Sequence, residues 1–239
     1  MLPSPKHILL KKILIISIVL HQFTGVFAQV PVSKEPMHHL VLENDHVRIL
    51  DVHILPGDTS QFHIHQTPSV FLVLSNAKTG SQVLQEERHT ATLFSKDGNI
   101  WFEGFYRLPR IHRVWNSDTT EFHVMDIELP NINYVAIDSP IHQQAFTLLF
   151  EEKPVRAYRL SILAGSKITI PPRRAVVLII SLQDSLISVH GESRDVKSGN
   201  STKKYFYKKG DFVYYQPGSS IEFINEGPKN SEFAFFELK

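Results

Sequence analysis

A repeat at a nearly fixed distance governs what this chain can fold into. Ile54-Leu-Pro-Gly57 is answered by Ile162-Leu-Ala-Gly165 at an offset of 108. Asn116 is answered by Asn225, and Glu128-Leu129 by Glu237-Leu238, both at 109. Self-similarity of this kind means that one structural unit is written twice, so the fold must be built from two copies of one architecture.

Each copy has the texture of short strands. Runs rich in Val, Ile, Phe and Tyr are broken every several residues by Gly, Pro, Asn or Asp. Val70-Phe-Leu-Val-Leu74 and Ala175-Val-Val-Leu-Ile-Ile180 are long enough for strands and too short for helices. Phe122–Leu129 and Glu232–Leu238 read as the strands that close each half. A trace of helical spacing occurs only near residues 140–150. This pattern predicts an all-β chain, each half a β-sandwich or barrel, over residues 40–130 and 155–239, joined by a linker at 131–154 with Pro130 and Pro154 at its limits and Pro140 within it.

Residues 1–28 read as a secretory signal peptide. Lys6, Lys11 and Lys12 precede the apolar run Ile13–Leu20, and Val26-Phe27-Ala28 offers a cleavage site. The run is much shorter than the roughly 20 residues a bilayer requires, so no membrane partner is expected after cleavage. Losing three lysines and no acidic residue takes the formal net charge from +1 to about −2. That balance, without long basic clusters, argues against nucleic acid as a partner. Cysteine is absent, which excludes disulfides and a cysteine nucleophile. The expected location is secreted or periplasmic.

The chemistry concentrates in three histidines. His63 and His65 lie one residue apart on a predicted strand, so both imidazoles project from the same face. A second strand carrying His112 would complete a set of three neutral nitrogen ligands, which suits a divalent transition metal (Fe, Zn, Cu, Ni or Mn) better than magnesium or calcium. Gln61, Gln66, Glu103 and His123 are candidate further donors. His38, His39, His53, His89, His142 and His190 lack ligand spacing and read as exposed or hydrogen-bonded singletons. Trp101, Phe102, Phe105, Tyr106 and Trp115 read as core and pocket wall, and Arg107, Arg110 and Arg113 as a solvated basic turn. No nucleophile elbow, phosphate loop or dinucleotide fingerprint occurs.

Gly57, His63 and His65, followed by Pro109, His112 and Asn116, resemble the two motifs of the cupins. The glutamate of the first motif is missing, with Ser69 and Val70 in its place, and so is the glycine of the second. Residues 42–129 carry the resemblance strongly and 155–238 weakly. At the 108 offset Pro171 and Arg173 fall opposite His63 and His65, and Ile221 takes the place of His112, so the second half resembles a cupin stripped of its site. The resemblance implies a bicupin of two tandem jelly-roll barrels, with dioxygenase-like or isomerase-like chemistry on a small organic molecule at the first barrel. The alternative is a non-catalytic barrel that binds a small molecule or sugar, or another protein. The second barrel would then pack against the first, within one chain or in a homodimer.

Overall fold

The computed structural model describes residues 30–84, 93–191 and 203–239, with the side chains of 203–207 excepted. Residues 1–28 and His89 lie outside the described residues. The chain is all-β: among the described residues the one helical element is a 3-10 turn at Val32–Lys34.

The first half forms two five-stranded sheets. One runs, in spatial order, β1 (Val30–Pro31), β4 (His63–His65), β9 (Arg110–Asn116), β6 (Ala77–Val83) and β7 (Leu93–Ser95). The other runs β2 (His38–Glu43), β3 (Arg48–Ile54), β10 (Phe122–Glu128), β5 (Ser69–Val73) and β8 (Ile100–Glu103). The second half repeats this plan with a five-stranded sheet of β11 (Phe146–Glu151), β12 (Val155–Ile162), β19 (Ser231–Leu238), β14 (Val176–Ser181) and β17 (Phe212–Tyr215). Its four-stranded companion is β13 (Lys167–Ile170), β18 (Ile221–Asn225), β15 (Ser185–Gly191) and β16 (Lys203–Tyr207). The trace of helical spacing near 140–150 becomes β11, an edge strand inside the stretch read as linker. Pairing with β12 through Phe146↔Leu160 overrides the local spacing.

Three apolar cores hold these sheets. One fills the inside of the first half, with Leu50, Val52, Ile54, Val73, Phe122 and Val124. Another fills the second half around Tyr158, Ile179, Phe223, Phe233 and Phe235. The third lies between the halves, where Ile49, Val70, Leu72 and Ile127 meet Ala157, Val176, Leu178 and Phe236. The sheet of β3, β10 and β5 and the sheet of β12, β19 and β14 are therefore buried on both faces. That burial is why β5 and β14 are written as continuous apolar runs rather than as alternation. Each such side chain contributes roughly 1.5–3 kcal/mol when fully buried.

The repeated asparagine is structural in both halves. Asn116 Nδ2 donates to the carbonyls of Ile54 (2.9 Å) and Thr120 (2.8 Å), and its Oδ1 accepts from the Asp118 amide. Asn225 Nδ2 donates to Ile162 (2.9 Å) and Lys229 (2.8 Å), and its Oδ1 accepts from the Gly227 amide. Each asparagine ties a strand end to a turn whose polar groups would otherwise be buried unpaired.

Candidate metal centre

Strand register brings the three histidines together. In the β4–β9 ladder His63 pairs directly with His112, while His65 sits two residues along on the same face. Ring centroids are 4.9 Å apart for His63–His65, 4.7 Å for His63–His112 and 5.0 Å for His65–His112. One ring nitrogen from each lies within 4.8 Å of the others. His63 and His65 are almost wholly buried, and all three line a cavity of about 300 Å³.

Each imidazole is held from behind. His63 Nδ1 bonds the Gln61 carbonyl at 2.9 Å, and His112 Nδ1 bonds Ser81 Oγ at 3.0 Å. His65 Nδ1 stands 3.4 Å from Asp126 Oδ2, close enough for an ion pair but not aligned as a hydrogen bond. With Nδ1 of His63 and His112 so occupied, the Nε2 atoms turn to a common centre: His63 Nε2 and His65 Nε2 are 3.1 Å apart, and His112 Nε2 is buried without a partner. Outer groups that fix one ring nitrogen and leave the other free are the usual support of metal-ligating histidines.

Electrostatics point the same way. Burial, reinforced by the neighbouring His38 and His65, pushes His63 down to about 3, and burial with His65 and His63 pushes His112 well below the imidazole range. Both rings are thus neutral, the form that ligates. Asp126, only 1% exposed, has no hydrogen-bond partner for either oxygen. A buried carboxyl without partners beside three imidazoles, with the inward His112 Nε2 left unpaired, is an arrangement that a cation completes. The residues present fit a divalent transition metal.

Sequence reasoning missed two contributors. Asp126 supplies a carboxyl near the histidines although the motif glutamate is absent. It reaches the cavity because β10 alternates Val124 and Asp126 inward. His38 also lines the cavity, its ring 4.7 Å from that of His63. Its Nδ1 bonds Glu35 Oε2 at 2.6 Å, so its reading as a singleton without a place in the site is corrected. Burial would raise Glu35, but hydrogen bonds from His38 and from the Gln61 and Met37 amides hold it below the ordinary carboxyl range. The spacing Glu35-x-x-His38 across the 3-10 turn was the available signal.

The other candidates disperse. Gln66 is exposed, and Gln61 contributes its backbone only. Glu103 lines the cavity but is committed to Arg110 (3.1 Å) and to Trp101 Nε1 (3.1 Å). His123 points to the opposite face of β10. Arg107 is exposed, whereas Arg113 bonds Gln82 and lies over the Phe62 ring, so the basic turn is only partly solvated. Trp101 and Phe105 are pocket wall, Phe102 packs on the core between the halves, and Tyr106 is exposed. Phe105 is the one non-glycine residue with positive φ (49°) among the described residues, and its ring stacks on His65 at 5.5 Å. A bulky residue in that region is strained by about 1–3 kcal/mol, a cost that recurs where a site must be shaped.

Among the described residues the second half carries no equivalent set. In its ladder Ile170 pairs with Ile221, the pairing that His63 makes with His112. The turn after Gly165 is one residue shorter than that after Gly57, so the place of His63 belongs to Ile170 and not to Pro171. Phe235, fully buried, stands where Asp126 would be, and Arg173 is satisfied by Glu237 at 2.7 Å rather than facing a cavity. The interior there is lined by apolar side chains, among them Tyr158, Ile179, Phe223 and Phe233.

Two expected outcomes follow from this geometry. Asp126→Asn should weaken divalent metal binding by roughly 10–100-fold, as loss of an outer carboxylate does. Competition titration against a chelating dye would show it, and an unchanged affinity would refute the role. For the metal-stripped protein, His63 and His112 fold neutral but titrate near 6.5 when unfolded. The unfolded chain then binds more protons as pH falls below 6.5, and stability declines by about 1 kcal/mol per histidine between pH 6.5 and 5.5. Urea unfolding should show this slope in the wild type and lack it in a His63→Gln/His112→Gln variant; equal slopes would contradict the assignment.

No family model matches the sequence, and no curated protein does. Solved structures do match. A salicylate 1,2-dioxygenase from Pseudaminobacter salicylatoxidans superposes with a TM-score of 0.60 at 9% identity, covering 92% of this chain and 81% of that one. YhhW from Escherichia coli gives 0.54 at 15%, covering 80% of each chain. A cupin 2 conserved barrel domain protein from Leptotrichia buccalis gives 0.51 at 9%, covering 84% and 87%. Likeness at these identities speaks to architecture, and the two double-sheet halves agree with it. The chain therefore has the cupin fold, with histidines gathered in its first half and an apolar interior in its second.

Proposed function

We propose that the chain is a secreted or periplasmic protein whose first-half cavity holds one divalent transition metal on His63, His65 and His112 and acts on a small organic molecule with dioxygenase-like or isomerase-like chemistry. The convergence of three imidazoles with their Nε2 atoms inward, those of His63 and His112 held neutral by burial, is the observation that carries this reading. A bound ion would supply Lewis acidity or a redox couple. The chain's own residues do the rest. Val52, Ile54, Phe71, Trp101, Phe105 and Val124 give the cavity an apolar wall that excludes water and suits a flat or aliphatic body. Phe105 covers His65 from one side. Among solved structures of this fold, the salicylate dioxygenase has also been determined as adducts with gentisate, so a cupin pocket on this plan admits a small aromatic acid.

Oxygen consumption by the metal-loaded protein, offered panels of small aromatic and hydroxylated acids, tests the dioxygenase reading, with product isomers followed in parallel by mass-resolved chromatography. Turnover that disappears in His112→Ala is expected. Ligand binding without turnover would favour the non-catalytic barrel.

A further inference from the structure

The sheet that separates the cavity from the rest of the molecule carries a second cluster on its opposite face. Val52, Ile54 and Val124 turn inward; between them Asp51, His53 and His123 turn outward. We propose that Asp51, His53 and His123 form a second divalent-metal site, of the zinc class, on this outer face.

Register builds the cluster. His53 and His123 are cross-strand partners of β3 and β10, and Asp51 lies two residues before His53 on the same face. His123 Nε2 is 2.6 Å from Asp51 Oδ1, and His53 Nε2 is 3.1 Å from Asp51 Oδ2. The two rings lie nearly parallel, with centroids 4.2 Å apart. Two nitrogens and a carboxylate oxygen therefore converge within 4.8 Å, a donor set suited to zinc, copper or nickel.

Its surroundings complete the likeness to a ligand set. His53 Nδ1 bonds Glu121 Oε1 at 3.0 Å, a carboxylate behind the ring that turns Nε2 toward the cluster. The carboxylates of Asp51 and Glu121 flank the His53 ring at 3.1 and 3.0 Å, so the cluster brings two negative charges to the place of the ion. The three side chains are 19–33% exposed, open enough for an ion to enter. His39, opposite Asp51 in the ladder and exposed, has its ring 6.2 Å from that of His53 and stands near as a further donor. A divalent ion would displace the protons that now bridge both histidines to Asp51 and would clamp β3 to β10.

The fold does not demand these residues. In the second half Ser161 and Glu232 make the cross-strand pair that His53 and His123 make in the first, and Glu232 bonds Arg159, which stands where Asp51 does. An ordinary ion pair suffices there.

Zinc stoichiometry of the full chain, measured by equilibrium dialysis, tests the site independently of the cavity. A His63→Ala/His112→Ala variant, which lacks the cavity set, should retain one zinc per chain and lose it when His53→Gln and His123→Gln are added. Should the fourfold variant fail to fold, Asp51→Asn in the His63→Ala/His112→Ala background should lower zinc affinity at least tenfold. The proposal is overturned if the His63→Ala/His112→Ala variant binds no zinc. It is equally overturned if changing Asp51, or His53 and His123, leaves its binding intact.

Discussion

Replacing His112 by alanine is expected to abolish stoichiometric transition-metal binding at the cavity while leaving the first half folded. The ring contributes one of three inward nitrogens, and its backbone lies in the middle of β9, whose pairing with β4 and β6 is made by main-chain groups. The loss should exceed the roughly 10–100-fold that removal of an outer carboxylate costs, because a ligand itself is gone. His63→Ala should match it, since His63 faces His112 across the ladder. The measurement is metal content of the purified variant beside its circular dichroism. Wild-type content in a folded His112→Ala protein, after the outer-face cluster is disabled, would exclude the set.

The second large effect concerns stability. Asn225→Ala should destabilise the chain by about 3 kcal/mol, because the carbonyls of Ile162 and Lys229 lose a donor and the Gly227 amide loses an acceptor. Asn225 is fully buried, so water cannot readily replace these bonds. Asn116→Ala should cost a similar amount through Ile54, Thr120 and Asp118. Urea unfolding measures both, and a loss under about 1 kcal/mol would show that the repeated asparagine is not a structural lock.

Much of this architecture was legible because its causes are local or periodic. His63 and His65 share a face by strand geometry alone, and the continuous run Val70–Leu74 is of strand length and too short for a helix. What that run could not disclose is its second cover, the matching sheet of the other half, because packing between distant segments leaves no spacing to read. Asp126 was hidden for a related reason. Its inward direction follows from the phase of β10, and its neighbourhood to His65 follows from two sheets closing on each other. His38 belongs to the cavity only because the 3-10 turn and Glu35 aim it there. The slip from Pro171 to Ile170 shows how one residue fewer in a turn moves a strand position to the other face. His53 and His123 are 70 residues apart in the sequence and adjacent only through the ladder of β3 and β10.

The central claim is that the first-half cavity is a metal centre. Anomalous X-ray scattering from crystals of the protein, recorded at the absorption edges of iron, zinc, copper, nickel and manganese, tests it most directly. One strong peak is expected between the Nε2 atoms of His63, His65 and His112, beside Asp126 and Phe105, and none among Ile170, Ile221 and Phe235. A protein supplied with each of these metals in turn that shows no peak in the first-half cavity would contradict it.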